Sequence, residues 1–309
     1  MSVTLYFSKI NINSHIFDIY DNPSRLKEIL NLLMVNINND IKYEKNEIRY
    51  DESGDVHEYN ASYKFSSIEK LGDELDNVIV GNVIKTSNLF INKVNEKTGH
   101  VKKVPVENNE VIRFCFDIFN EKVAFYTTNR FGYVEFNDAF RELINISMEE
   151  YEDSYSFEAF ILRKGLNIEE IRSELKSIGR IETLKIEIIP PNPNEDLLNQ
   201  IYNNGEKFLQ SAKAGNVTSR SILFTSKAPN GLLLDSSIVK DEIDQIENIH
   251  SRLSSEEAIS KGYATVEAVS KSGRTYSTKN NQPIKDKIDD YIDNVIEFAK
   301  VCKRIIKSV

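Results

Sequence analysis

The stretch from residue 110 to residue 146 constrains the fold most, because its apolar pattern changes period within one short segment. Apolar side chains alternate along residues 112–118, which predicts a strand with one apolar face. Residues 119–122 interrupt the alternation, and residues 123–128 resume it with β-branched and aromatic side chains. Two strands joined by so short a link predict an antiparallel hairpin.

The period then changes to that of a helix. The apolar residues that follow the hairpin are spaced i, i+4, i+7 and i+8, at Phe136, Phe140, Leu143 and Ile144. The turn from strand to helix carries Arg130-Phe131-Gly132-Tyr133. One interpretation is that this turn presents side chains to a ligand. The other is that Gly132 eases the bend while the aromatic residues fill the core.

The rest of the chain mixes strands and helices in irregular order, which predicts the α+β class with mostly antiparallel sheets and packed helices. Strand patterns occupy residues 3–12, 41–49, 58–65, 77–94, 155–162, 181–189, 221–225, 263–269 and 276–278. Helix patterns occupy residues 26–34, 167–178, 195–214 and 236–249. We expect a β-rich domain at residues 1–106 and an α+β domain at residues 107–309. A proline-rich turn at residues 190–193 is the alternative hinge.

The C-terminal segment from Pro283 predicts a long amphipathic helix. Its apolar stripe includes Ile288, Tyr291, Val295, Phe298, Cys302 and Ile305. Acidic residues lie in the first half and basic residues in the last half, the order that the helix dipole favours. A stripe this wide packs either on the chain's own core or against a partner, so these six residues are interface candidates.

The composition excludes several classes of protein. The chain has 309 residues and 40% hydrophobic residues, enough for a substantial core, and no apolar run reaches the ~20 residues of a membrane helix. The N-terminus lacks a basic leader, and two cysteines cannot form a disulfide framework, so we expect a cytoplasmic protein without a signal peptide or membrane insertion. The net charge of −9 argues weakly against dedicated nucleic-acid binding.

No catalytic or cofactor signature is present in the sequence. The four histidines lack metal-ligand spacing, and the common phosphate-loop, dinucleotide and hydrolase motifs do not occur. The nearest nuclease-like pattern is Glu182, Lys185 and Glu187, which ordinary surface ion pairs explain equally well. We therefore predict no catalytic, cofactor or metal residues.

Basic residues offer candidates for contacts with nucleic acid. The group consists of Lys102, Lys103, Arg130, Arg163, Lys164, Arg172, Lys176, Arg180, Lys271 and Arg274. Several are interspersed with glutamates, which lowers the local potential and is typical of an ordinary solvated surface. Both interpretations stay open at the level of sequence.

The order of elements from about residue 111 to the end resembles the RexA family of phage-exclusion proteins and similar small bacterial phage-defence components. The resemblance rests on residues 122–133 before a helix, on residues 184–190, on residues 221–225 and on the C-terminal amphipathic helix. It implies two domains that move relative to each other, self-association and DNA binding. It transfers no catalytic residue.

We therefore expect a non-enzymatic component of a bacterial antiviral defence or exclusion system, of the kind that acts in abortive infection. It would bind a partner defence protein, DNA or RNA, as a homo-oligomer. The alternative is a nucleic-acid-targeting toxin or nuclease whose active site has no recognisable motif.

Overall fold

The computed structural model describes residues 2–50, 56–72, 75, 77–94, 96, 98–149, 155–192, 207–250 and 253–309. Over these residues the chain forms twelve strands and eight α-helices in mixed order. The sheets are mostly antiparallel, which confirms the predicted α+β class.

The strands are β1 (Val3–Ile12), β2 (Lys42–Tyr50), β3 (Val56–Leu71), β4 (Val78–Val94), β5 (Val101–Asp117), β6 (Lys122–Phe125), β7 (Phe157–Ile161), β8 (Ile181–Ile188), β9 (Arg220–Thr225), β10 (Ala264–Ser270), β11 (Thr275–Ser277) and β12 (Lys285–Ile288). The helices are α1 (Ile16–Asp21), α2 (Ser24–Asn36), α3 (Tyr133–Ile146), α4 (Ile168–Ser177), α5 (Lys207–Ala214), α6 (Ser237–Asp244), α7 (Ser255–Ser260) and α8 (Val295–Ile306).

The chain divides into two compact units that are discontinuous in sequence. Unit 1 contains Met1–Tyr6, Leu30–Ser154 and Asp286–Val309, and unit 2 contains Phe7–Ile29 and Tyr155–Lys285. The predicted boundary between residues 106 and 107 instead lies inside β5, where strand pairing with β4 continues on both sides. The alternative hinge at residues 190–193 lies within the sequence range of unit 2, and Pro193 is outside the described residues.

Unit 1 is built on a sheet whose strands follow the order β12-β1-β6-β5-β4-β3-β2. The predicted hairpin is confirmed, because Phe114 of β5 pairs with Phe125 of β6 in antiparallel register. The predicted helix is confirmed as α3, whose buried Phe136 and Phe140 contact the sheet. Phe116 is fully buried and meets Phe140 edge to face at 5.6 Å between ring centroids. The aromatic side chains of the organising stretch therefore form the core of unit 1.

The prediction of a long C-terminal helix is wrong for the first half of that segment. Residues Lys285–Ile288 form the edge strand β12, and the helix begins only after Asn294, whose side chain accepts a hydrogen bond from the Glu297 N–H. The side chain of Arg113 donates to the carbonyl oxygens of Ile292 and Asp293 at 2.5 Å and 3.0 Å. These carbonyls are therefore engaged outside a helix, and α8 has 12 residues.

The interface candidates on this segment are mostly covered within unit 1. Phe298, Cys302, Ile305 and, on β12, Ile288 are buried. Val295 is half-buried, and Tyr291 is exposed with its hydroxyl accepting a hydrogen bond from that of Tyr126 at 3.3 Å. The buried four pack on the chain's own core, so they do not offer a free face to a partner.

Unit 2 contains an antiparallel four-stranded sheet with the order β11-β10-β8-β9. One face carries Leu184, Ile186 and Ile188 of β8, which pack in a single core cluster with apolar residues of α4, α6 and α7. The helix predicted at residues 167–178 is confirmed as α4, which starts with a capping box in which Asn167 and Glu170 exchange hydrogen bonds at 2.9 Å. Strand β7 pairs antiparallel with Ser8–Ile12 of β1.

Three predictions fall wholly or partly outside the described residues. The sequence also predicts a turn at residues 51–54 and an acidic loop at residues 148–153, and these two are joined by the first part of the helix predicted at residues 195–214. The last part of that helix is confirmed as α5.

Candidate nucleic-acid interface

Three connecting segments meet at one end of the unit 2 sheet. They are residues 178–180 before β8, residues 226–236 after β9 and residues 271–274 between β10 and β11. The meeting follows from the antiparallel register, because the end of β10 lies beside the start of β8, and Thr225 at the end of β9 pairs with Thr183. Residues far apart in sequence thereby become neighbours.

Backbone hydrogen bonds fix these segments to one another. The N–H of Lys271 donates to the carbonyl oxygen of Arg180 at 2.8 Å, and the N–H of Leu232 donates to that of Ile181 at 2.9 Å. The bonds do not depend on side-chain identity, so the positions of the three segments are set by the backbone.

Gly231 permits the close approach of the second segment to β8. Its φ of +75° lies in the left-handed region, and a Cβ at this position would lie 2.6 Å from the carbonyl oxygen of Ile181. Backbone atoms cannot yield to such a contact at low cost, so only glycine fits here without distortion.

The three segments supply four basic side chains, and α4 supplies a fifth from its last turn; we call these five residues the basic end of unit 2. They are Lys176, Arg180, Lys227, Lys271 and Arg274. All five are exposed residues. Two contacts to backbone oxygens link them, because the side chain of Lys271 donates to the carbonyl of Lys227 at 3.2 Å and that of Arg180 donates to Pro229 at 3.3 Å. Four of the five were predicted from the sequence.

Two carboxylates lie within this group without neutralising it. Asp235 lies 3.6 Å from Lys176, and Glu182 lies 3.4 Å from Lys227, whose side chain is 86% exposed. Exposed pairs of this kind are worth about 0–1 kcal/mol, so phosphate groups can compete for both lysines.

A shallow cavity of about 640 Å³ opens beside the basic end. Lys176 and Arg180 line it together with Leu232, Leu233 and Leu234, and Leu233 is 68% exposed. The cavity thus combines two cations with exposed apolar surface.

The other basic candidates of unit 2 do not join the basic end. Arg172 is largely buried and donates to Asp244 at 2.5 Å, so its charge is neutralised inside the protein. Arg163 donates to the carbonyl oxygen of Asn281 at 2.8 Å. Lys164 is exposed next to Arg163. Of the candidates between Arg163 and Arg180, Lys176 and Arg180 therefore belong to the basic end, whereas Arg163 is tied to the segment before β12.

The basic candidates of unit 1 are Arg130, Lys102 and Lys103. Arg130 is exposed, while its carbonyl oxygen accepts a hydrogen bond from Lys85 at 2.8 Å. Lys102 and Lys103 lie on β5, but their side chains are outside the described part of the structure. Their role in binding nucleic acid stays a prediction.

The turn at Arg130–Tyr133 packs its aromatic side chain in the core and lies beside a network of polar side chains. Phe131 is fully buried. The side chain of Lys85 donates to Glu135 at 2.8 Å and lies over the Phe131 ring at 5.7 Å. The hydroxyl of Tyr63 donates to the other oxygen of Glu135 at 2.6 Å. The structure therefore favours the packing interpretation of this turn.

Nearby, hydrogen bonds hold one carboxylate in its charged form. The pKa of Glu110 is lowered, first by the hydroxyl of Thr128 at 2.6 Å and then by the amide of Asn108 at 3.1 Å. The Thr128 oxygen also accepts from the Phe131 N–H at 3.2 Å, so the carboxylate helps to hold the turn.

Lys227 is the functional candidate that sequence reasoning missed. Its loop reads Lys227-Ala-Pro-Asn-Gly231, a turn signal that marks an exposed segment but does not say what lies beside it. Only the pairing of β8 with both β9 and β10 brings Lys227 to Lys271.

Comparisons of this chain with family models, with curated proteins and with solved structures gave no match. Across the described ranges, no group of three or more His, Cys, Asp or Glu side chains is arranged to hold a metal ion. No helix in the part of the chain that the structure describes is long and apolar enough to cross a membrane.

Proposed function

We propose that this chain is a cytoplasmic component of a bacterial phage-defence or exclusion system and that it binds DNA or RNA through the basic end of unit 2. The observation that carries the proposal is the convergence of five exposed cations, four from the three connecting segments and Lys176 from the last turn of α4. Phosphate contacts supply most of the affinity of such proteins, and their geometry requires several cations on one surface. The resemblance to the RexA family supplies the biological setting.

The overall charge does not oppose this function. A net charge of −9 is a property of the whole chain, whereas phosphate binding depends on the potential within about one Debye length, ~8 Å at physiological salt. The basic end places its cations on exposed loops and on the last turn of α4, and its two carboxylates form only exposed pairs. A local positive potential on an acidic protein supports weak, salt-sensitive binding rather than tight binding.

The decisive experiment compares fluorescence anisotropy of labelled duplex DNA and single-stranded RNA across salt concentrations. The test variant is Arg180→Ala with Lys227→Ala and Lys271→Ala. We expect its affinity at low salt to fall by about tenfold or more, and the slope of log K against log salt to flatten by about 2–3. The backbone bond between Arg180 and Lys271 does not involve the substituted side chains, and circular dichroism of the variant checks that it is folded.

A matched control removes three other lysines of unit 2, at Lys213, Lys261 and Lys279, none of which is a nucleic-acid candidate. It changes the net charge by the same amount, and its binding is expected to stay within about twofold of the wild type. Equal loss in both triple variants would show a purely global charge effect. A wild-type chain that binds neither DNA nor RNA at about 50 mM salt would refute the proposal.

The defence role has its own test in cells. The gene is expressed with its neighbouring genes, and phage plaques are counted on wild-type and triple-variant strains at equal protein levels. Protection by the wild type that the triple variant loses supports the proposal. Protection that persists in the variant shows that defence does not use the basic end.

A further inference from the structure

Strand β2 lies at one end of the unit 1 sheet. In the part of the chain that the structure describes, all nine of its residues pair with β3, and β2 pairs with no other strand. An edge strand of this length presents a row of backbone N–H and C=O groups to which a further strand can add. The order of charges along this edge indicates which strand fits it.

The register with β3 shows which backbone groups of β2 point away from the sheet. The N–H of Phe65 donates to the carbonyl oxygen of Ile41 at 3.2 Å, and the ladder continues without a register shift from Lys42 to Tyr50. Hydrogen-bonded and non-hydrogen-bonded pairs alternate in an antiparallel ladder. The odd-numbered residues of β2 therefore direct their backbone groups towards β3, and the even-numbered residues from 42 to 50 direct theirs outwards.

The side chains beside this edge are complementary to a second copy of themselves. Asn46 is the middle residue of β2, and in the separate chain Lys45 and Glu47 on either side of it form an ion pair at 2.6 Å with side chains 32% and 37% exposed. Antiparallel pairing of two β2 strands centred on Asn46 uses the whole strand. It sets Lys45 opposite Glu47 of the partner subunit, and Glu47 opposite Lys45 of the partner subunit. The four charges then alternate in sign, in the non-hydrogen-bonded pairs where side chains come closest.

Other registers of the same pairing are disfavoured. The smallest displacement that keeps equivalent faces of the two strands on the same side of the sheet is two residues. Displacement in one direction sets Lys45 opposite Lys45 of the partner subunit, and displacement in the other sets Glu47 opposite Glu47 of the partner subunit. Like charges directly opposite each other destabilise a strand pair. The register that pairs every residue of β2 is therefore also the one that its charges favour, whereas an edge protected by charges of one sign would repel its copy.

We propose that two copies of this chain associate by antiparallel pairing of their β2 strands, centred on Asn46, so that the two unit 1 sheets become continuous. The outward backbone groups of the even-numbered residues form the ladder, and the pairs of Lys45 with Glu47 set its register. The same strand is used by both copies, so the contact is two-fold symmetric and closes at two subunits. This contact lies on unit 1 and does not depend on the function proposed for the basic end of unit 2.

Sedimentation equilibrium of the full chain at several concentrations tests the backbone part of the proposal. The wild type is expected to reach the mass of a dimer. Asn46→Pro removes an outward N–H at the centre of the contact from each copy, and the loss of two hydrogen bonds is expected to raise the dimer dissociation constant by about 30-fold or more. The ladder between β2 and β3 does not use this N–H, and proline is tolerated at such edge positions. Asn46→Ala retains the N–H and is the matched control, which is expected to keep the mass of the wild type.

Charge reversal tests the register. Lys45→Glu sets carboxylates opposite each other, and Glu47→Lys sets lysines opposite each other, so each variant alone is expected to lose the dimer. Both substitutions in one chain restore opposite charges across the contact without changing the net charge, and this double variant is expected to regain the dimer mass. A mixture of the two single variants is expected to form a dimer that contains one copy of each. Circular dichroism checks that every variant is folded.

Three results would overturn the proposal. A wild-type chain that is monomeric at every concentration would show that the edge does not pair with a second copy. A dimer that survives Asn46→Pro unchanged would place the contact elsewhere on the molecule. A double charge variant and a mixture that both stay monomeric, although each protein is folded, would show that Lys45 and Glu47 do not oppose each other across the contact.

Discussion

The backbone N–H of Lys271 donates to the carbonyl oxygen of Arg180 at 2.8 Å, and this bond joins the tip of the β10–β11 hairpin to the start of β8. Two cations that are distant in sequence are thereby held side by side. The bond forms between backbone atoms, so the arrangement of the basic end is a property of the sheet register rather than of the charged side chains.

Gly231→Ala is expected to destabilise the protein and to weaken nucleic-acid binding without changing its charge. The left-handed backbone alone costs about 1–3 kcal/mol for a residue other than glycine, and the contact with Ile181 adds to it. Gly273→Ala is the control, since its φ is +81° but no described atom lies within 4 Å of its added Cβ. Urea denaturation measures both, and equal losses would show that the close contact at Gly231 is unimportant.

Phe116→Ala is expected to lower the free energy of unfolding by about 3–5 kcal/mol, because the ring is fully buried against Phe140. Phe119→Ala, three residues on and 37% exposed, is expected to lose much less. Thermal melting and urea titration of the two variants give the comparison. An unchanged midpoint for Phe116→Ala would contradict the position of β5 in the core.

Lys85→Met is expected to destabilise unit 1 by about 1–3 kcal/mol, because it removes the donor to Glu135 and to the Arg130 carbonyl in a site where the lysine is 7% exposed. Lys45→Met is the matched control. Its ion pair with Glu47 is partly exposed and is worth about 0–1 kcal/mol. Similar losses in the two variants would show that burial adds nothing to the Lys85 network.

Tyr276→Phe is expected to change the dependence of stability on alkaline pH. Burial, followed by the Glu174 carboxylate, raises the pKa of Tyr276 to about 12, whereas tyrosine in an unfolded chain titrates near 10. The unfolded chain therefore loses this proton at a lower pH than the folded chain does. The stability linked to the proton is fully present below about pH 10 and is lost as the pH rises towards 12. Its oxygen has no hydrogen-bond partner among the described residues, so the phenylalanine variant is expected to be at least as stable at pH 8.

Urea denaturation at pH 8 and at pH 11 measures this effect. The loss of stability between the two pH values is expected to be smaller in Tyr276→Phe than in the wild type. An identical loss would show that Tyr276 ionises equally in the folded and unfolded chains.

Local patterns predicted the elements whose stabilising contacts lie close in sequence. The alternation over residues 112–118 and the helical spacing from Phe136 to Ile144 were both sufficient, because the hairpin and α3 bury one another. The capping box at Asn167 was equally readable, since both of its hydrogen bonds span three residues. For the turn at Arg130–Tyr133, the sequence left open whether the side chains bind a ligand or fill the core. Burial of Phe131 supports packing in the core.

The C-terminal segment shows where local patterns fail. Apolar residues spaced three and four apart fitted a helix from Pro283, but Ile288 is buried in a strand and Arg113 takes the carbonyl oxygens of Ile292 and Asp293. A side chain remote in sequence thus decided the backbone conformation. Periodicity reports only local spacing, so it could not predict the contact with Arg113.

The sequence by itself determined the α+β class, the positions of most strands and helices, and the residue types from which the basic end is built. Only the tertiary structure decided which cations share a surface, because sheet register joins residues that are far apart in the chain. The tertiary structure pairs Arg172 with Asp244, which neutralises the charge of Arg172, and it brings Lys227 beside Lys271. The physical reason is that periodicity reports local burial, whereas the electrostatic potential at a surface depends on charges gathered by contacts of long sequence separation.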